Sequence, residues 1–354
     1  MLHDRPMTGV LALLAIYATT FVLYAIVPGR WVDGYVRDAR GVPLRYHLNG
    51  LIVFALVIAG YVALAARGVI AWDFVYAHRI EMVATAIGVG LVFTLAIVVP
   101  APATGKPLAA DLFLGRLENP QWGRVDAKMF LYLIGAVMLE LCLLGFAAHH
   151  VLMFGWDGSR GIVVYTALFS FFLVEYLFFE RVHLYTYDFV AERVGFKLGW
   201  GCLAFYPFFY AVGAWFAASV PDPDPSPLRL GAAIALFFIG WMFARGANLQ
   251  KFRFKTRPEL ARFGPLAQTA LDGRVLVGGF WGLSRHINYL GEILMASALA
   301  LVLGVPGAWL YPLYYLGLLI PRQLDDDRRC AAKYGPLWDE YQRRVPARII
   351  PKIW

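Results

Sequence analysis

The chain has 354 residues, of which 60% are hydrophobic and 16% aromatic, with only 16% charged and a formal net charge of +8. That composition lies outside the soluble globular range and leaves no polar stretch over for a separate soluble domain. The positive charge is spread through connections and the tail, as expected of Lys and Arg on the cytoplasmic side of a polytopic protein, and without a contiguous basic surface nucleic acid is excluded as a partner.

Apolar runs of roughly 20 residues, enough to cross ~30 Å of hydrocarbon as helices, recur along almost the whole chain. They predict an all-α, polytopic transmembrane helix bundle of about nine to ten spans. The candidates are Thr8–Val27, Leu48–Ala66, Ile80–Val99, Met129–Phe154, Gly161–Phe179, Phe196–Val220, Leu230–Asn248, Ile287–Val305 and Ala308–Ile320, with Val275–Trp281 as a re-entrant or short tenth. The first run is longer than a signal-peptide core and lacks a small-x-small cleavage site, so it reads as a permanent span.

Loop charge sets the orientation. Cations follow the first, third, fifth and seventh spans, for example Arg30 and Arg45, Arg116 and Lys128, Arg181 and Arg193, then Lys251 through Arg274. The other connections are poor in cations, and PDPDPSP from Pro221 is acidic. Odd-numbered connections and the tail therefore face the cytoplasm. Cys142, Cys202 and Cys330 are far apart and form no CxxC pair, which points to neither a disulfide framework nor a metal site. The aromatic runs Phe169–Phe179 and Phe205–Phe216 serve either as packing between helices or as the wall of a pocket for a flat apolar substrate.

Three segments near the C-terminus carry chemistry. In NLQKFRFK, Lys251 and Lys255 are four apart, share a helical face and can both meet a phosphate. In GGFWGLSRHINYLGE, Trp281 offers a flat face, and Arg285, His286, Asn288 and Tyr289 fall within about one helical turn. An amide such as that of Asn288 donates and accepts at once, which suits a carboxamide. A lone histidine such as His286 at a membrane edge is more often structural, although its pKa range allows a proton shuttle. The tail adds Arg322, Asp326, Cys330, Tyr334, Trp338 and Tyr341. The ordinary alternative for the lysines is a positive-inside anchor.

These segments, NLQKFRFK, WGLSRHINYLGE and RRC..KYG..W..Y...VP.RIIP.IW, resemble the membrane sterol reductases, the family that reduces the C14, C7 or C24 double bonds of sterols and includes the membrane domain of the lamin B receptor. Weaker similarity extends upstream through LRYHLNGL, DLFLGRLENPQWGRVDAKMF and D...E..GFKLGWG. The resemblance implies an NADPH site built from Lys251, Lys255, Leu276, Trp281, Asn288, Tyr289, Arg322, Asp326, Cys330 and Tyr341. It also implies a sterol or related polycyclic isoprenoid as substrate and residence in the lipid bilayer, in the inner membrane of a bacterium or the endoplasmic reticulum of a eukaryote. Lys255 stands where the family has arginine, Pro321 where it has histidine, and Asp325 where it has arginine; an added acid near a phosphate repels it.

The implied chemistry is ionic: a proton adds to the alkene and a hydride quenches the resulting cation. A buried carboxylic acid suits the first step, because desolvation keeps its proton on near neutral pH. Glu140, Glu175, Glu180, Asp188 and Glu292 are the carboxylates within or beside the spans, where ionisable groups are costly. Glu180 aligns with the first acid of the family's W-N-E-E, Asp188 with its T-x-D, and Glu175 lies on the same span, so these are the candidate acids. The alternative for each is a helix-end ion pair, such as Glu180 with Arg181 or Arg193. The family's tyrosine near the centre falls at Phe172, which has no hydroxyl. Residues 1–228 are expected to hold the substrate and residues 229–354 the cofactor, within one integral membrane domain. Two other functions fit the same residues. The motifs RHxxYxG and Y-G…Y…V-P also resemble isoprenylcysteine carboxyl methyltransferases that use S-adenosylmethionine, and a bundle that has lost catalysis would be a sterol or lipid binder.

Overall fold

A computed structural model of the chain describes residues 7–353 other than 224 and 261. Asp224 of the acidic connection and Trp354 at the end of the tail motif lie outside the described residues. Two compact units result, Met1–Asp224 and Pro225–Trp354. Five helices are long and apolar enough to cross a membrane by length and composition, and shorter apolar helices accompany them.

In the first unit, α1 (Thr8–Ile26) leads into a hairpin of β1 (Arg30–Arg37) and β2 (Pro43–Leu48), which are antiparallel with Trp31 opposite His47. The chain continues through α2 (Gly50–Ala66), α3 (Arg79–Val98), α4 (Ala127–Phe154) and α5 (Arg160–Phe178). Asn49 joins the first two helices: its amide donates to the carbonyls of Tyr24 and Val27 at the end of α1, both at 2.9 Å. This satisfies acceptors that a helix terminus otherwise leaves open.

The core helix is α4, with 78% of its apolar window buried against 28% for α1 and α3. Asp126 starts it as N-cap, accepting from the Met129 N–H at 3.0 Å. The next turn buries Lys128 completely, its ammonium donating to the carbonyls of Asp188, Phe189 and Glu192 at 2.6–3.1 Å. A charge this deep is tolerated because its donors are all met. At the far end of α3, Arg116 binds Asp111 at 2.7 Å and the carbonyls of Val98, Val99 and Ala101 at 2.7–3.3 Å.

The expected span Phe196–Val220 is divided. It comprises a π-helix at Phe196–Phe205, then short helices at Tyr206–Tyr210 and Val212–Ala217. The π-helical segment lies against α3, where Trp200 fills the space left by Gly90: a Cβ there would come within 2.7 Å of the indole.

In the second unit, α6 (Pro227–Thr256) begins with Ser226 capping the Arg229 N–H and runs well past the expected Asn248. It packs on α7 (Ile287–Leu303) at glycines: a Cβ on Gly291 would lie 2.4 Å from the Ala244 nitrogen and the Gly240 oxygen. Small residues here let two apolar helices approach closely. Helix α8 (Leu310–Tyr334) continues through Pro321, and α9 (Pro336–Arg344) follows. The segment proposed as a tenth span, Val275–Trp281, forms instead a hairpin strand, Val275–Leu276, followed by a single 3-10 turn, Gly279–Gly282. Its glycines and its pairing with Ala270–Leu271 make it too short to cross.

Candidate functional site

Within the second unit, the NLQK segment closes the last turns of α6 and grips the loop before α7. Gln250 is fully buried. Its amide donates to the Gly278 carbonyl at 3.2 Å and accepts from the Phe280 N–H at 3.0 Å. Gly279 passes over that amide with φ +64°, and a Cβ would sit 2.3 Å from its nitrogen, so only glycine fits the turn. The turn delivers Trp281, whose indole N–H donates to the Ala247 carbonyl at 2.9 Å and whose own carbonyl accepts from Tyr341 at 2.8 Å. The Lys251 ammonium lies 5.6 Å from the Trp281 ring centre, a cation–π arrangement that fixes both.

One turn further along α6, Lys255 donates to the Tyr334 hydroxyl at 3.1 Å. Around the Tyr334 ring stand three cations from three segments: Lys255 at 5.7 Å, Arg274 at 6.0 Å and Lys333 at 5.2 Å. Like charges repel when gathered without an anion, so such a grouping is suited to a phosphate. Sequence spacing singled out only Lys255; Arg274 sits in a hairpin turn and Lys333 at the end of α8.

Just before α7, Arg285 and the N-cap residue His286 face two acids of α8. Arg285 contacts Asp327 at 3.2 Å; His286 lies 3.8 Å from Asp326 and 3.4 Å from Asp327. Burial works against ionised Asp327, yet the His286 and Arg285 contacts outweigh it and hold the carboxyl below its usual range. His286 stacks on Tyr289, with centroids 5.2 Å apart. Asn288 adds an acceptor to this cluster: its side-chain carbonyl oxygen is buried and has no hydrogen-bond partner among the described residues. A buried acceptor left so is costly unless a ligand meets it. The fully buried Gln323 amide, one turn before Asp327, shares that condition at both its polar atoms.

Cys330 packs against a buried cluster of Val275, Trp338, Tyr341 and Val345. Burial, with help from Asp326, pushes its thiol up to about 12, so it is a neutral apolar contact and not a thiolate. Leu276 is buried in its hairpin strand. Arg322 lies on α8 one turn before Asp326. Asp325, the departure that would repel a phosphate, pairs with Arg329 at 2.6 Å.

The candidate acids lie in the first unit. Glu175 is buried near the end of α5, and Glu180 begins the short helix Glu180–His183 that follows. Both Glu180 oxygens accept from the Gly50 N–H, at 3.1 and 3.3 Å. Gly50 opens α2, so the carboxylate occupies a helix N-terminus. A Cβ on Gly50 would fall 2.0 Å from Glu180 Oε1, which explains the glycine of LNG. Burial nonetheless pushes the Glu180 carboxyl up to about 7, only partly offset by that hydrogen bond. The ion pair weighed for Glu180 with Arg193 does not form; Arg193 reaches Glu118 at 3.0 Å. Asp188 lies in the helical turn Tyr187–Val190 whose carbonyls bind Lys128.

Comparison with known proteins places the chain as a whole. The family described as "Ergosterol biosynthesis ERG4/ERG24 family" matches residues 6–354. A Delta(14)-sterol reductase of Arabidopsis thaliana is 32% identical over the whole of both chains. Enzymes of the same name from Schizosaccharomyces pombe and Methylotuvimicrobium alcaliphilum are 29% and 30% identical over 96% and 99% of this chain, and over 83% and 75% of their own lengths.

Proposed function

The chain belongs to the ergosterol biosynthesis ERG4/ERG24 family, and from that premise we propose that it is an NADPH-dependent reductase of a C=C bond in a sterol or closely related polycyclic lipid, the Δ14 bond foremost. The observation that carries the cofactor assignment is the gathering of Lys255, Arg274 and Lys333 around Tyr334 in the same unit as the unmet amide oxygen of Asn288. Cations for a phosphate and an amide for a carboxamide are what a phosphorylated nicotinamide nucleotide requires.

In this reading residues 229–354 hold the nucleotide and residues 1–228 the sterol. Lys251 and Lys255 neutralise phosphate charge, with Arg322 as a further cation. Trp281 and Tyr289 supply ring faces, Asn288 binds the carboxamide, and Leu276, Cys330 and Tyr341 form an apolar floor whose geometry is fixed by the Tyr341 hydrogen bond to Trp281. Asp326 positions the α7 end through His286. When bound, the nucleotide supplies the hydride that completes the reduction. Glu180 holds the proton: a carboxyl near 7 is partly in its acid form at neutral pH and can protonate the alkene. Glu175 and Asp188 are the other acids of this unit assigned to the reaction. The nucleotide site faces the cytoplasm, in the inner membrane of a bacterium or the endoplasmic reticulum of a eukaryote.

The test is nucleotide binding to purified protein. Lys251→Ala and Asn288→Ala are each expected to weaken NADPH binding by more than about tenfold, the equivalent of ~1.4 kcal/mol. Unchanged affinity in both variants removes the cofactor assignment.

A further inference from the structure

Midway along the core helix of the first unit sits an acid that the reduction as described does not use. Glu140 is in the middle of the 28-residue α4, about 20 Å from either end at 1.5 Å per residue. It is 6% exposed. One carboxyl oxygen, Oε1, accepts from the Ser170 hydroxyl of α5 at 2.8 Å; the other, Oε2, is buried and has no hydrogen-bond partner among the described residues.

A second polar atom nearby is in the same condition. Thr166 is one helical turn from Ser170 on the same face of α5, and its hydroxyl is buried with no hydrogen-bond partner among the described residues. Threonines elsewhere in the chain satisfy themselves within their own helices: Thr20 donates to the Ile16 carbonyl at 2.7 Å and Thr94 to the Gly90 carbonyl at 2.8 Å. Thr166 does not use that outlet. Two unmet polar atoms at this depth cost free energy unless a ligand answers both.

The surroundings specify that ligand. The buried side chains on the neighbouring turns, Phe169 and Leu173 of α5 and Val137 and Leu143 of α4, are apolar, which suits a ligand with an apolar body. An alcohol donates to Glu140 Oε2 and accepts from the Thr166 hydroxyl at once, with a single polar atom that an otherwise apolar molecule can carry. Ser170 lies about two turns before the end of α5, and Glu180 begins the next helix; the hydroxyl of a sterol likewise sits at one end of its ring system, apart from the bond reduced. We infer that Glu140 and Thr166 form a subsite for the hydroxyl of a polycyclic alcohol, which selects a 3-hydroxysterol over its 3-deoxy counterpart. This rests on the sterol-reductase reading and adds to it the feature by which substrate is recognised.

The experiment measures equilibrium binding and turnover of a Δ8,14-sterol bearing a 3β-hydroxyl, and of the same sterol lacking it, by wild type, Thr166→Val and Glu140→Leu. Wild type is expected to bind the alcohol about tenfold more tightly, the scale of one or two buried hydrogen bonds. In both variants that preference closes to within about twofold while affinity for the 3-deoxy sterol and for NADPH stays as in wild type. A wild type that binds both sterols alike, or a preference retained in the variants, overturns the inference. Equal loss of turnover on both sterols with the preference intact assigns Glu140 to proton transfer and also overturns it. Wild-type affinity for the 3-deoxy sterol reports that Glu140→Leu has folded; if it has not, the near-isosteric Thr166→Val decides alone. Wild type that binds the alcohol selectively but reduces neither sterol refutes the reductase reading and leaves the subsite standing.

Discussion

At Glu180 two effects oppose each other: burial penalises the carboxylate, and the Gly50 N–H at the start of α2 favours it. Burial wins, and the group titrates near 7 instead of at its ordinary 4.5. The folded protein therefore retains a proton between those values that the unfolded chain has released, so this group's contribution to stability falls as pH rises through that window. Turnover follows the same proton: kcat should be highest below about 7 and decline above it. Glu180→Gln should abolish turnover and spare NADPH binding; full activity in that variant transfers the acid role to Glu175 or Asp188. The carboxylate was legible in the sequence as a charge beside a span. Its partner was not, because Gly50 is 130 positions away and a backbone N–H carries no residue signature. At the cation cluster, Lys255→Ala with Arg274→Ala should weaken NADPH binding severalfold more than NADH binding, since only the former carries the extra phosphate; equal losses would place that phosphate elsewhere. The lysine was visible through its spacing from Lys251, whereas Arg274 reaches Tyr334 only through the fold.

Among the elements, the loop before α7 shows how a motif can act at one remove. Gln250 touches the loop backbone twice and is fully buried. Gln250→Ala should lower NADPH affinity by about thirtyfold by releasing the turn that presents Trp281, at ~1 kcal/mol for each of the two hydrogen bonds lost. Titrating nucleotide into the variant, together with Trp281 fluorescence, checks this; wild-type affinity would show that the turn is held by other means. The five long helices were legible because twenty apolar residues in lipid have little choice but to form one. Phe196–Val220 was equally apolar, yet folds as a π-helix and two short helices; hydropathy reports burial and is silent on the hydrogen-bond register that distinguishes these forms. Val275–Trp281 misled for a related reason: seven apolar and small residues suit a hairpin and a turn as well as a re-entrant stretch.

For the whole chain, composition, span length and family resemblance carried the class of protein, and the motifs are the basis on which a nucleotide half is proposed. The proposed hydroxyl subsite was not legible because it consists of single polar atoms in apolar helices, Glu140 Oε2 and the Thr166 hydroxyl, on α4 and α5. The account as a whole requires that one hydrogen come from the nucleotide and one from water through a protein acid. Incubation of the purified protein with a Δ8,14-sterol and NADPH carrying deuterium at the transferred position, followed by mass spectrometry of the sterol, tests this directly. The account predicts a Δ8-sterol with one deuterium at the reduced bond and one hydrogen that becomes deuterium when the reaction is run in heavy water. Recovery of the diene unchanged by protein that binds the nucleotide would contradict it.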